Sequence, residues 1–176
     1  SRVDYETGGV IALSKSEEFL RMNPEISKIA NLDLLQPFNV MSEDMEFKNY
    51  SQLARLIEKN IEKYKGVIVT HGTDTLHYTA AALSFMLRDL GKPVALVGAQ
   101  RSSDRGSADG VQNLLCAVHY CLSDIAEVCV VMHGSSDDDY NLAIRGTKVR
   151  KMHTERRDAF RPINDEPIAK IWPSGE

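Results

Sequence analysis

The stretch Val67-Ile68-Val69-Thr70-His71-Gly72-Thr73-Asp74-Thr75 decides the fold, because it reads in one pass as strand, tight turn and helix start. Val67, Ile68 and Val69 are a continuous β-branched run suited to a strand buried on both faces, and Gly66 ends the helix before it. Gly72 relaxes the backbone where the chain must turn. From Leu76 the apolar period becomes that of a helix, with Leu76, Ala80, Leu83, Leu87 and Leu90 on one face and Gly91 and Pro93 as the stop. Thr73, Asp74 and Thr75 therefore stand at the carboxyl end of a strand and at the N-terminus of a helix. In an open parallel sheet ligands bind at that place, and the positive end of the helix dipole favours an anionic group there. Thr73 offers a hydroxyl and Asp74 a carboxylate beside it. The bland alternative is that Asp74 or Thr75 is only a helix cap.

Working outward, residues 51–65 carry Leu53, Leu56, Ile57, Ile61 and Tyr64 on one face, which predicts a covering helix. Pro93 to Gly98 is a second buried strand, and the polar loop Ala99 to Gly106 follows at its carboxyl edge. Ser107 or Asp109 opens a helix whose stripe is Val111, Leu114, Leu115, Val118 and Leu122. Val128 to Met132 is a third buried strand, ending in His133-Gly134-Ser135-Ser136-Asp137-Asp138-Asp139. Upstream, residues 37–41 read as a short strand with Ser42-Glu43-Asp44 at its end. Ser14 to Glu17 has capping-box spacing for a short helix that Asn23-Pro24 ends. Tyr5 lies in a Gly- and Thr-rich loop hinged at Gly8-Gly9. Strands alternating with helices predict an α/β fold: an open, mainly parallel sheet with helices on both faces, a Rossmann-like three-layer sandwich.

A length of 176 residues with 43% hydrophobic content suits one core and one domain. The expected organisation is a single α/β domain over 1–166 and the start of an inter-domain linker over 167–176. The chain begins without methionine, inside what reads as a loop, so a piece of something longer is expected. No membrane-length apolar run or leader pattern directs it to a membrane, and cytoplasmic residence is the default. Cys116, Cys121 and Cys129, an odd count among apolar neighbours, read as reduced buried thiols. A net charge of −4 argues against a generally basic nucleic-acid surface. Neither a G-x-G-x-x-G nor a G-x-x-x-x-G-K-[ST] run is present, so nucleotide binding lacks its usual support.

Hydroxyls, carboxylates and one lysine gather at strand ends: Ser42-Glu43, Thr73-Asp74 and Lys151. A threonine needs a base to become a nucleophile at neutral pH, and a desolvated lysine beside an aspartate can supply one. His133 with Asp137, Asp138 and Asp139 is the metal-binding alternative, but consecutive aspartates splay apart and no second histidine has ligand spacing, so no metal is expected. His71 and His133 read as structural histidines. Lys148, Arg150, Lys151, Arg156 and Arg157 crowd around His153, either as a solvated face or as a phosphate-contacting patch.

Thr70-His71-Gly72-Thr73-Asp74-Thr75 resembles the second signature of the bacterial-type L-asparaginases and glutaminase-asparaginases. Further matches follow in order: Ser42-Glu43-Asp44-Met45; Val97-Gly98-Ala99-Gln100-Arg101 with Ser107-Ala108-Asp109-Gly110; and Lys151 with Thr154 and Asp158-Ala159-Phe160. A narrower resemblance, to the D subunit of the archaeal glutamyl-tRNA(Gln) amidotransferases, is carried by the runs Arg101 to Ser107, Met132-His133-Gly134 with Asp137 to Tyr140, and Arg145 to Thr154. The resemblance implies an asparaginase N-terminal-like domain and a glutaminase that releases ammonia for amidation of Glu-tRNA(Gln), as a homodimer with an E subunit. ATP and Mg would act at that partner, and this chain would carry no cofactor of its own. A free L-asparaginase, or an inactive domain that docks a partner or tRNA, is the alternative. Residue by residue, Thr73, Asp74 and Lys151 would form a catalytic group. Ser42 would hold the substrate α-carboxylate, Glu43 and Asp74 its α-amino group, and Tyr5 would be the mobile-loop tyrosine assisting a second threonine. The signature bearing that second threonine would lie just before Ser1, and a C-terminal domain would follow residue 176.

Overall fold

The computed structural model of this chain describes residues 24–101 and 105–175, together with the backbone of 2–3 and 10–11. Strands β1 (Arg2–Val3) and β2 (Val10–Ile11) form a small antiparallel pair. The expected helix after Ser14 lies outside the described residues. Pro24 opens a helix, α1 (Pro24–Ile29), where its missing N–H and fixed φ cost nothing. Residues 37–41 lead through an extended Met41 into a single 3-10 turn, Ser42–Asp44, and among the described residues pair with no strand, contrary to the expected strand there. Phe38 is instead drawn onto the core edge as a side chain.

Helix α2 (Phe47–Asn60) starts earlier than its apolar stripe suggested. Glu46 and Asn49 form a reciprocal capping box, in which Asn49 Oδ1 accepts the Glu46 N–H at 2.9 Å. Strand β3 (Val67–Thr70), helix α3 (Leu76–Met86), strand β4 (Val94–Val97), helix α4 (Gly110–Cys121) and strand β5 (Val128–His133) then alternate as anticipated. Helix α3 stops before Leu87 and Leu90, which still pack against the core from the following turn.

The sheet order is β3-β4-β5, then β6 (Asn141–Arg145) and β9 (Ala169–Ile171). Strands β3, β4 and β5 are parallel, β6 is antiparallel to β5, and β9 is antiparallel to β6, so β9 shares the direction of the first three. The sheet is mainly parallel, in an α/β fold. Strand β9 extends it into residues expected to start a linker, and buries Ile171. A separate antiparallel pair, β7 (Val149–Lys151) and β8 (Phe160–Pro162), sets Lys151 opposite Phe160.

Successive strand residues point to opposite faces, and the two cores divide accordingly. Val94, Leu96, Val130 and Met132 meet Leu53, Ile57, Leu76, Ala80 and Leu83 of α2 and α3. Ala95, Val97, Cys129 and Val131 meet Ile26 of α1 and Leu114, Ala117, Val118 and Cys121 of α4. Strands β4 and β5 are buried throughout. Strand β3 is only partly buried, against the expectation of burial on both faces, because no strand pairs with its outer edge among the described residues. All three cysteines are free and buried, and burial pushes their thiols up to about 12. Among the described residues no helix is long and apolar enough to cross a membrane.

Candidate active site

The site forms where β3 ends. Thr75 occupies the position before the first turn of α3, yet its hydroxyl does not cap the helix; it donates to the Ser42 carbonyl at 2.5 Å. Gly72 works by its size rather than by a special φ: a Cβ there would stand 2.8 Å from both Cβ and Oγ of Ser42. These two contacts draw the Ser42–Asp44 turn against the Thr73-Asp74 turn. Ser42 is buried, and its hydroxyl lies 3.3 Å from the exposed carboxylate of Glu43, to which it donates.

Lys151 arrives from β7. Its Nζ donates to Thr73 Oγ1 at 2.9 Å and to Asp74 Oδ1 at 2.8 Å. The lysine side chain is 9% exposed and the aspartate 66%, so the ammonium end is sheltered while the carboxylate faces solvent. Thus Thr73, Asp74 and Lys151 come together, Ser42 and Glu43 are held next to their turn, and Tyr5 lies outside the described residues. A hydroxyl, a lysine and a carboxylate within hydrogen-bond reach can activate a nucleophile and hold a cationic group.

Two histidines flank the group. His71 Nδ1–H donates to the Gly72 carbonyl at 2.6 Å, and Nε2 accepts from Thr79 at 2.8 Å. Burial holds His71 below the ordinary histidine range, and the neutral tautomer this requires is the one the two bonds use. His77, in the first turn of α3, is also held low, by burial first and then by the charges of Arg150 and Lys151. A histidine whose folded pKa is depressed adds stability above its unfolded value of about 6.5, and that stability is lost as pH falls through the folded pKa. Acidification from neutral pH should therefore lower the unfolding midpoint less in His71→Gln than in the unmodified protein. Parallel losses in the two proteins would contradict this account of His71.

The basic run does not form one face. Lys151 turns into the site. Arg156 binds Asp158 through two bonds of 2.8 Å, Arg161 binds the same carboxylate, and Arg157 donates to Asp138 at 2.5 Å and to the Ser136 carbonyl. Asp158, 3% exposed, is held below the usual carboxylate range by Arg156 and then Arg161. His133 is a junction within the protein: Nδ1–H donates to Asn113 Oδ1 at 2.7 Å, and Nε2 stands 3.1 Å from Asp138.

Sequence reasoning did not single out Gly98, Asp109 or Asn113 as supports of the site. A Cβ on Gly98 would stand 2.7 Å from the His71 carbonyl and 2.8 Å from the Thr73 methyl, so only glycine lets β4 come that close. Its place just after an apolar strand was the available signal.

Residues 1–175 match the family model for the N-terminal domain of asparaginase, and the chain belongs to that family. It is 60% identical over 177 residues to the D subunit of glutamyl-tRNA(Gln) amidotransferase from Pyrococcus horikoshii, covering 100% of this chain and 40% of that protein. With the corresponding protein of Archaeoglobus fulgidus the identity is 53% over 175 residues, covering 99% of this chain and 42% of that protein. Among solved structures, the thermostable L-asparaginase from Thermococcus kodakarensis superimposes with a TM-score of 0.77 at 28% identity, over 97% of this chain and 50% of that one. The probable cytoplasmic L-asparaginase from Campylobacter jejuni gives 0.73 at 30%, over 88% and 51%. The chain thus spans about two fifths of the length of the curated relatives it matches.

Proposed function

We propose that the protein containing this domain hydrolyses the side-chain amide of glutamine and supplies the ammonia for converting Glu-tRNA(Gln) to Gln-tRNA(Gln), in complex with an ATP-using E subunit. The observation that carries the reading is the bonding of Lys151 Nζ to both Thr73 Oγ1 and Asp74 Oδ1. In its neutral form Lys151 accepts the Thr73 proton as Oγ1 attacks the amide carbon. The C–N bond breaks, the proton passes to the departing nitrogen, and ammonia leaves an ester on Thr73. Water then attacks the ester and releases glutamate. Asp74 and Glu43 hold the α-ammonium group and Ser42 the α-carboxylate, while Tyr5 serves the second threonine of the family. ATP and Mg act at the E subunit, where the glutamyl group is activated, and this chain binds neither. The protein works as a cytoplasmic homodimer.

The likeness to two L-asparaginases supports a second reading, free hydrolysis of asparagine by the same steps. The alternative of a docking domain that presents residues 148–157 to a polyanion is weakened because Arg156 and Arg157 already bind carboxylates. The test is ammonia release by the full-length protein, with and without the E subunit, on glutamine and on asparagine, beside Thr73→Ala. Glutamine-dependent release, coupled to tRNA amidation and lost in Thr73→Ala, is expected. Preference for asparagine without coupling would favour the free asparaginase. Unchanged release by Thr73→Ala would remove the mechanism.

A further inference from the structure

We propose that Asp109, which meets no substrate, is a positioning residue that sets the rotamer of Thr73; this rests on the reading of Thr73 as a member of the catalytic group it forms with Asp74 and Lys151. Asp109 stands at the N-cap position of α4 but makes no side-chain cap. Its carboxylate, fully buried, turns back to the segment after β4 instead: Oδ1 accepts the Arg101 N–H at 2.9 Å, and Oδ2 accepts the Gln100 N–H at 3.1 Å and Asn113 Nδ2 at 3.1 Å. Asn113 Nδ2 also donates to the Gly98 carbonyl at 2.9 Å. Its Oδ1 accepts from Asn141 and His133, each at 2.7 Å. The chain after β4 is thus tied at Gly98, Gln100 and Arg101 to the start of one helix, and Asn113 of that helix is itself held by β5 and β6.

The clamp reaches Thr73 through Gly98. The space a Cβ on Gly98 would fill lies against the Thr73 methyl, so the Gly98 backbone is the wall on which Cγ2 rests. A threonine has few staggered positions, and fixing the methyl fixes the hydroxyl. With the wall in place, Oγ1 is directed at Lys151 Nζ, 2.9 Å away. If the segment slackens, Thr73 gains rotamers whose hydroxyl misses the lysine. The ground-state contacts of the substrate, which Ser42, Glu43 and Asp74 make, are untouched. The signature of this role is a loss in kcat with KM held.

In the full-length protein with the E subunit, Asp109→Asn keeps the volume but sets an NH2 against a backbone N–H. It should lower kcat for glutamine by roughly 10- to 100-fold with KM changed less than about 3-fold. In a Thr73→Ser background, where no methyl rests on Gly98, the same substitution should cost less than about 3-fold. Asn113→Ser, which frees the Gly98 carbonyl while leaving Asp109 its two backbone donors, should reproduce the pattern more weakly and serves where Asp109→Asn does not fold. Val118→Ala, buried further along α4, should lower the melting temperature without changing kcat. Equal losses in the Thr73 and Thr73→Ser backgrounds, or a loss confined to KM, would overturn the inference. If Thr73→Ala is inactive while Asp109→Asn and Asn113→Ser are fully active, this inference alone fails. If Thr73→Ala is active, the proposed function fails with it.

Discussion

Lys151→Met should abolish nearly all amide hydrolysis by the full-length protein while leaving its melting temperature almost unchanged. The lysine stem is sheltered and the methionine chain replaces most of it, so little apolar contact is lost. Asp74, left without its partner, is 66% exposed and is satisfied by water, so no buried charge is stranded. What disappears is the group that takes the proton from Thr73 Oγ1. General acid–base catalysis contributes roughly 10²- to 10⁴-fold, and a loss in kcat of that order is expected. Lys151→Met combined with Thr73→Ala should be no worse than the more damaging single change, since members of one catalytic unit do not add. Steady-state ammonia release beside a thermal melt checks both halves. A variant that melts normally and keeps its kcat would take Lys151 out of the mechanism.

Phe160→Ala should be the most destabilising of the simple truncations near the site, by about 3–5 kcal/mol. Phe160 is fully buried, pairs in register with Lys151, and lies edge-on to His77 with ring centroids 6.4 Å apart. Its removal opens a cavity under the short β7–β8 pair, which among the described residues has no further strand to hold its place. The same cavity slackens the strand that carries Lys151, so activity should fall as well. Unfolding followed by circular dichroism, with activity measured well below the transition, separates the two effects. A stability loss below about 1 kcal/mol, the usual cost of an ordinary substitution, would show that the hairpin is held from elsewhere.

The strands and helices legible in the sequence are those whose signal is local. Val94 to Val97 and Val128 to His133 are short apolar runs with polar residues at the carboxyl end, and they are the two strands buried throughout. Residues 37–41 carried a similar pattern and formed no strand, because a strand needs a neighbour to take its backbone bonds and β pairing is a long-range property. The edge strand at Ala169–Ile171 was hidden for the same reason in reverse: a stretch bounded by prolines reads as a connection until β6 is there to pair with it. On α4 the stripe was displaced. Leu122, placed in it by spacing, is 49% exposed, while Cys116, Ala117 and Tyr120 face the core, since the helix meets a sheet and buries a wider arc than one row.

For the site, the sequence by itself placed Thr73 and Asp74 at the junction of a strand with a helix, because the switch from β-branched run to helical period is written in neighbouring residues. It also marked Ser42 and Glu43 as polar residues ending an apolar stretch, and Lys151 as a lysine within a basic run. That Lys151 joins Thr73 was implied by the resemblance; the tertiary structure decided how, across a separation of 78 positions and through a hairpin outside the main sheet. Only the tertiary structure decided that Thr75 serves Ser42 rather than its own helix, and that Asp109 serves the backbone after β4 rather than the first N–H groups of α4. A cap and a clamp use the same residue types at the same helix position. Which bond forms depends on what backbone arrives within hydrogen-bond reach from elsewhere in the chain, and local sequence carries no record of that.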